Sequence, residues 1–418
     1  MRPFDIGRPR ILTFSTLYPD AARPQYSVFV ENRLRHLVGS GEVTARVLAP
    51  VPYFPFQAQR FGAYGTLARV PRREVRFGIE VDHPRYLAIP KCGMSLAPYL
   101  LYAGARPALR RLLQGGERIG LIDAHYFYPD GVAAVMLGRR FGLPVTVTAR
   151  GSDINLIAQF AVPRRLIRWA AEAADGVITV SSALADKLAG LGIERGRITV
   201  LRNGVDPAVF RPVEASGSDS EGSGGVPPPR PLAVSVGNLV PLKGHDLVIA
   251  ALAELPGLTL WIVGGGPERG RLERLAGEMG VADRVRFLGV VPHERMASVY
   301  SAADLLVLAS EREGWPNVLL EAMACGARVV TTRVSDVAEV VNVPAAGAWI
   351  AERSAGCLAQ AIRQVLAVPV PREATRRHAL RFTWEATTRG QIALFRSILG
   401  RRIPEETGRP GAVRNIGV

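Results

Sequence analysis

Two glutamates eight residues apart, Glu313 and Glu321, flank a proline and the start of a helical pattern, and this spacing can do chemistry. They lie in residues 310–330, SEREGWPNVLLEAMACGARVV, directly after the apolar strand segment DLLVLAS. Pro316 suits a first helical position, where its missing N–H costs nothing, and Gly326 suits a stop, so the spacing predicts a helix over about 316–325. The first turn of such a helix leaves the N–H groups of Asn317, Val318 and Leu319 without intrahelical acceptors. It also carries the positive end of the helix dipole, so it binds anions and suits a diphosphate. Glu313 stands just before that turn and Glu321 about a turn and a half into it, which sets one carboxylate on each side of the anion as an acceptor for sugar hydroxyls. Either glutamate alone is as readily a surface acid. The pair around an anion-binding turn is what points to a site.

Other segments offer partners. In residues 235–245, SVGNLVPLKGH, a strand runs through a glycine-containing loop with Asn238 into a helix that Lys243 opens. Of 52 Lys and Arg residues only Lys91, Lys187 and Lys243 are lysines, so a compact ammonium kept here is either a phosphate contact or a solvated helix start. In residues 258–268, LTLWIVGGGPE, the glycines Gly264, Gly265 and Gly266 let the backbone approach a base or ribose, or serve only a tight turn. In the first half, DAHYFYPD (123–130) and TARGSD (148–153) both end strands. His125 and Tyr126 therefore face one cleft edge, with Ser152 and Asp153 beside a turn at Gly151; His125 is as readily a buried structural histidine. Arg150 cannot act as a base at neutral pH, so it can only position a substrate or stabilise phosphate charge. No D-x-D pair or His/carboxylate cluster has metal-ligand spacing, so no metal and no cofactor is expected. No P-loop or G-x-S-x-G elbow is present, which argues against an NTPase or serine hydrolase.

These residues need strands that end at one edge. Short β-branched runs alternate with helical-period stretches almost throughout, the pattern of parallel βαβ units. Strands are expected at 11–18, 43–49, 81–87, 121–125, 145–149, 177–180 and 198–201, then at 232–236, 259–263, 285–288, 305–308, 329–332 and 348–350. Residues 214–230, EASGSDSEGSGGVPPPR, interrupt the pattern with a Gly/Ser/Pro composition that cannot bury a core. The fold class is therefore α/β: two Rossmann-like doubly wound domains facing across a cleft. The expected divisions are a first Rossmann-like domain over 1–212, a flexible linker over 213–230 and a second Rossmann-like domain over 231–383. Residues 384–418 form a last helix that crosses back to the first domain, followed by a tail.

The 418 residues suffice for two cores, and 48% hydrophobic with 21% charged residues excludes a disordered or collagen-like chain and a coiled coil. Three cysteines, Cys92, Cys325 and Cys357, build neither a disulfide framework nor a zinc site. No apolar run approaches a membrane span and the N-terminus has no signal-peptide pattern, so a cytoplasmic protein is expected. The net charge of +15 is lopsided: residues 1–212 hold 29 basic against 16 acidic side chains, the remainder 23 against 21. Such a field suits a polyanionic partner, and the arginines in 98–111 with Arg164, Arg165 and Arg168 point to an anionic membrane surface or a lipid diphosphate at the inner membrane face. The basic half lacks basic–aromatic interleaving, which argues against nucleic acid.

The Glu313–Glu321 run resembles the EGxPxxxLEAMAxG-like hallmark of glycosyltransferase family 4, retaining nucleotide-sugar transferases of GT-B architecture. Residues 123–130, 148–153, 200–210 (VLRNGVDPAVF) and 235–245 are similar to further segments of that family, so the resemblance covers nearly the whole chain apart from the linker and the tail. It implies that Glu313 binds the donor sugar ring, that Glu321 binds the nucleotide ribose and that Lys243 neutralises the leaving diphosphate. It also places Gly264 to Gly266 near the nucleotide, and His125, Tyr126, Ser152, Asp153 and Arg150 about the acceptor and reacting sugar. The implied activity moves a sugar from a nucleoside diphosphate to a glycan or lipid-linked acceptor in polysaccharide or glycoconjugate synthesis. A nucleotide-sugar epimerase of similar architecture is the alternative. The chain departs from the family pattern in four places: Asn238 stands for an arginine, Asp123 and Arg150 for histidines, and the first loop has Ser27 near an expected glycine.

Overall fold

The computed structural model describes residues 8–89, 93–213 and 229–401. The linker expected over 213–230 falls almost wholly outside the described residues, as does the tail beyond Arg401. Two doubly wound α/β lobes result. The first is built on an eight-stranded sheet in the order Ile198–Val200, Gly176–Thr179, Val145–Ala149, Leu121–His125, Arg10–Phe14, Thr44–Leu48, Ile79–Asp82 and Arg73–Arg76. The second has six parallel strands in the order Val285–Gly289, Thr259–Val263, Leu232–Val236, Leu305–Leu308, Arg328–Thr332 and Gly347–Ile350. Five strands, Leu121–His125, Val145–Ala149, Leu232–Val236, Thr259–Val263 and Leu305–Leu308, have the expected bounds. They are apolar runs covered on both faces by helices, where burial leaves little freedom in register.

The first sheet is not wholly parallel. Arg73–Arg76 pairs antiparallel with Ile79–Asp82 at the edge. Its sequence, REVR, is charged at three of four positions and has no apolar run, so periodicity missed it. The two-residue turn Phe77-Gly78 carries both residues at positive φ, the geometry of a tight hairpin; Phe77 is held there by the Arg35 guanidinium 3.8 Å from its ring centre.

Each sheet has a switch point, where successive connections leave a strand in opposite directions and open a crevice at the carboxyl ends. In the first lobe it lies between Arg10–Phe14 and Leu121–His125, in the second between Leu232–Val236 and Leu305–Leu308. The segments after these strands carry Thr16, Tyr126, Asn238 and Glu313. The last helix, Trp384–Gly400, belongs to neither switch point. It buries Ile392, Phe395 and Ile398 against Ile11, Leu34 and Leu37 of the first lobe, and the chain reaches it through a backbone bond from Val205 N to Phe382 O of 2.9 Å.

Candidate active site

In the second lobe the loops at the switch point pack backbone to backbone. Gly264 has φ +139, and a Cβ there would stand 1.9 Å from the Gly237 carbonyl oxygen. Gly266 has φ +159, and a Cβ there would meet the Leu239 oxygen at 2.4 Å. The glycines are thus required by the neighbouring loop; Gly264 and Gly265 also line the cleft, whereas Gly266 does not. Gly244, at φ +67, lets the next turn press on Ala309 at the end of Leu305–Leu308. That approach brings Lys243 to Glu313: Nζ stands 2.6 Å from Oε1, which also accepts the Ser310 hydroxyl at 2.7 Å. Residues 70 apart in sequence thus form one ion pair at the switch point.

The helix expected from Pro316 begins one residue later, as Asn317–Ala324, with Pro316 outside it at ψ 82. The expected set of three anion-binding amides is corrected accordingly. Asn317 N donates to Trp315 O at 3.1 Å and Leu319 N to Pro316 O at 3.2 Å, because the tight turn before the helix takes up these donors. Val318 is the first-turn amide outside these local bonds. Asn317, Val318 and Glu321 line the cleft, while the Leu319 side chain is in the core. Glu321 accepts the Tyr300 hydroxyl at 2.9 Å, and burial pushes its carboxyl above the ordinary range, with His293 pulling the other way.

In the first lobe the residues are buried and tied to one another. Asp123 and His125 alternate onto one face of their strand, and His125 Nε2 lies 3.1 Å from Asp123 Oδ2. His125 Nδ1 accepts from Arg150 Nη2 at 2.7 Å. Asp123 also accepts the Thr146 hydroxyl at 2.7 Å and the Gln391 amide at 2.8 Å, the latter from the last helix. Burial pulls His125 down to about 4 against the attraction of Asp123 and with the help of Arg150, so the ring is neutral at pH 7. This is the buried, hydrogen-bonded arrangement of a structural histidine. Asp153 is fully buried and accepts the backbone N–H groups of Phe127, Gly151 and Arg150 at 2.7, 2.7 and 3.1 Å; it shapes the loop instead of projecting from it. Tyr126, at φ +86, meets the Ser152 hydroxyl at 2.8 Å.

Several contacts join the lobes, three of them beside these residues. A Cβ on Gly314 would stand 2.0 Å from the Arg150 carbonyl oxygen, so the backbone beside Glu313 lies directly on that beside Arg150. Asn203 accepts from Arg150 Nη1 at 3.2 Å and donates to Asn317 Oδ1 at 3.1 Å. Asp336 of the second lobe accepts the N–H groups of Ser182 and Ala183, at 2.5 and 2.9 Å, where they start the helix Ser182–Gly190 of the first. Arg202 bridges Asp336 and Glu339. Asn203, Gln391 and Asp336 were missed from sequence; the RNG step at 202–204 in the junction segment was the available signal for the first. Between the lobes lies a cleft of about 630 Å³, lined by Phe29, Asn32 and His36 on one side and by Asn238, Asn317 and Glu321 on the other.

Residues 219–381 match the family described as Glycosyl transferases group 1, and residues 64–209 match Glycosyltransferase Family 4. The chain belongs to glycosyltransferase family 4. The family 4 chain is 35% identical over 234 residues to D-inositol 3-phosphate glycosyltransferase of Mycobacterium tuberculosis (strain ATCC 25618 / H37Rv), an overlap of 53% of this chain and 48% of that protein. The match thus spans about half the length of such curated relatives. Its fold is the two-lobed GT-B architecture. Sucrose-phosphate synthase from Thermosynechococcus elongatus superposes with a TM-score of 0.77 at 22% identity, over 94% of this chain and 100% of that one. Anabaena HepE in complex with UDP gives 0.68 at 19% identity, over 93% and 100%. WaaG, a glycosyltransferase involved in lipopolysaccharide biosynthesis, gives 0.66 at 18% identity, over 92% and 99%.

Proposed function

We propose that this chain is a retaining, metal-independent glycosyltransferase that moves a sugar from a nucleoside diphosphate to a glycan or lipid-linked acceptor held by the first lobe. The observation that carries the reading is the 2.6 Å pair of Lys243 and Glu313 at the second lobe's switch point, beside loops that line the inter-lobe cleft. In the proposed step the acceptor hydroxyl oxygen bonds to the anomeric carbon on the face from which the phosphate leaves. The bond from that carbon to the phosphate oxygen breaks, and the hydroxyl proton passes to the departing phosphate oxygen. Lys243 and the Val318 end of the helix offset the charge that develops there, while Glu313 orients the sugar and Glu321 the ribose.

A membrane-side acceptor is supported by the first lobe's surface. Of the large hydrophobic side chains exposed among the described residues, thirteen precede residue 200 and four follow it. Tyr53, Phe56, Leu96, Tyr99, Phe160 and Val162 are among them, with Arg60, Arg106, Arg164 and Arg165 exposed nearby in sequence. Apolar side chains rimmed by arginines suit an anionic lipid surface. No helix among the described residues is long and apolar enough to cross a membrane.

The test is release of UDP or GDP from a panel of nucleotide sugars, with and without anionic vesicles carrying lipid-linked acceptors. Acceptor-dependent release with retained anomeric configuration is expected, faster on vesicles at low salt. Sugar isomerisation without acceptor would establish the epimerase alternative in its place.

A further inference from the structure

Arg33 and Arg150 are both buried cations held by neutral acceptors; Arg33 donates to Gln391 Oε1 and the Leu201 carbonyl, whereas Arg150 borders residues that line the cleft. Arg150 is 9% exposed and makes no ion pair among the described residues. Its partners are neutral acceptors, His125 Nδ1 at 2.7 Å and Asn203 Oδ1 at 3.2 Å, and its Nε has no hydrogen-bond partner. Because His125 accepts from Arg150, the ring proton sits on Nε2 and points to Asp123, which Thr146 and Gln391 fix from behind. The guanidinium is therefore aimed by two side chains that do not cancel its charge. Burying such a charge is costly unless an anion meets it.

Its position says which anion. The guanidinium lies 5.3 Å from the Phe29 ring centre, and through Asn203 it is joined to Asn317; Phe29 and Asn317 both line the cleft. Its own carbonyl touches Gly314, next to Glu313. In the second lobe Lys243 already carries Glu313 as a counter-charge, so that pair adds no net positive charge to a site meant for a diphosphate. On the reading of the site given above, we propose that Arg150 is a phosphate ligand supplied by the first lobe, so that the donor diphosphate is gripped from both lobes; Asp123, His125 and Asn203 are its positioning residues. The link to Asn317 favours the donor over a phosphorylated acceptor as the source of that phosphate.

The test compares wild type, Arg150→Gln and Arg150→Lys by calorimetry and thermal shift, with UDP, GDP, the matching nucleosides, inorganic pyrophosphate and, as phosphorylated acceptors, a panel of sugar and polyol monophosphates. Arg150→Gln should bind nucleoside diphosphate and pyrophosphate at least tenfold more weakly with nucleoside binding unchanged, and its melting temperature without ligand should not fall. Arg150→Lys, which keeps the charge but loses the fork, should lie between, and it serves alone if the glutamine variant does not fold. Nucleoside diphosphate affinity equal to wild type in both variants overturns the assignment. Loss confined to phosphorylated acceptors, with diphosphate affinity intact, overturns the donor assignment and leaves the acceptor as source. If wild type itself binds no nucleoside diphosphate, the transferase reading fails instead, whatever the variants do.

Discussion

The two lobes solve the same topological problem with different chemistry. In the second, the polar groups stand on loops after strands: Glu313 and Lys243 form a partly exposed pair, with side chains 14% and 23% accessible. In the first, Asp123, His125, Arg150 and Asn203 are buried and bonded in series, continued through Gln391 to the buried Arg33. A loop pair can exchange partners when a ligand arrives; a buried series holds its geometry at a cost in desolvation. The difference teaches that a carboxylate can stay partly exposed in a loop ion pair in one lobe and serve as a buried brace in the other.

Changing carboxylate to amide in each lobe gives the largest and clearest contrast. Glu313→Gln should leave the melting temperature nearly unchanged and lower turnover by about 10²–10³-fold, as expected for loss of one charged contact to a reacting group. Asp123→Asn should act first on stability, costing roughly 3 kcal/mol in urea unfolding because it breaks a buried charged network, with a smaller loss of turnover through the Arg150 it helps to position. Equal effects of the two variants on both readouts would erase the distinction drawn here.

Titration sharpens the comparison further, since each lobe has one strongly shifted histidine. His125 is held at about 4 by burial against Asp123, with Arg150 and Arg33 adding to the depression. His245, whose Nδ1 meets the Ser235 hydroxyl at 2.9 Å, is also held at about 4, chiefly by burial. The unfolded chain takes up these protons near 6.5, so between about 4 and 6.5 it binds more protons than the fold. The associated stability is complete above about 6.5 and is lost as pH falls towards 4. His125→Gln should remove about half of that histidine-linked slope in melts across this range, a contribution of at most roughly 3 kcal/mol. An unchanged slope would show that His125 is not the buried neutral group described.

The smallest effect is expected where the lobes are strapped together. Asp336→Ala removes the acceptor for two N–H groups at a helix start in the opposite lobe and a partner of Arg202. It should cost about 1–2 kcal/mol of stability, the range of a lost N-cap, while nucleoside diphosphate affinity stays within a few-fold of wild type. A large affinity loss would make this contact part of the binding site.

Much of the molecule was legible in the sequence. Fully buried parallel strands are continuous apolar runs, so Leu121–His125 or Leu305–Leu308 could be bounded within a residue. The edge strand Arg73–Arg76 escaped because three of its four side chains are charged, so it shows no apolar run, and its pairing rests on a turn at Phe77-Gly78. The run from Glu313 to Glu321 was visible because its chemistry is local to one strand-to-helix connection. The helix start was read one residue early, since a proline's fitness for the first turn does not fix the ψ it adopts.

By itself the sequence determined the central buried strands, that there are two lobes, and that a pair of acids flanks a helix start in the second, because burial periodicity and short-range spacing are written along the chain. Only the tertiary structure decided that Lys243 meets Glu313, that Asp153 spends its carboxylate on its own loop, that His125 is neutral, and that Gln391 from the far end of the chain braces Asp123. Those outcomes depend on distances between residues tens to hundreds of positions apart and on how much water burial removes from each group.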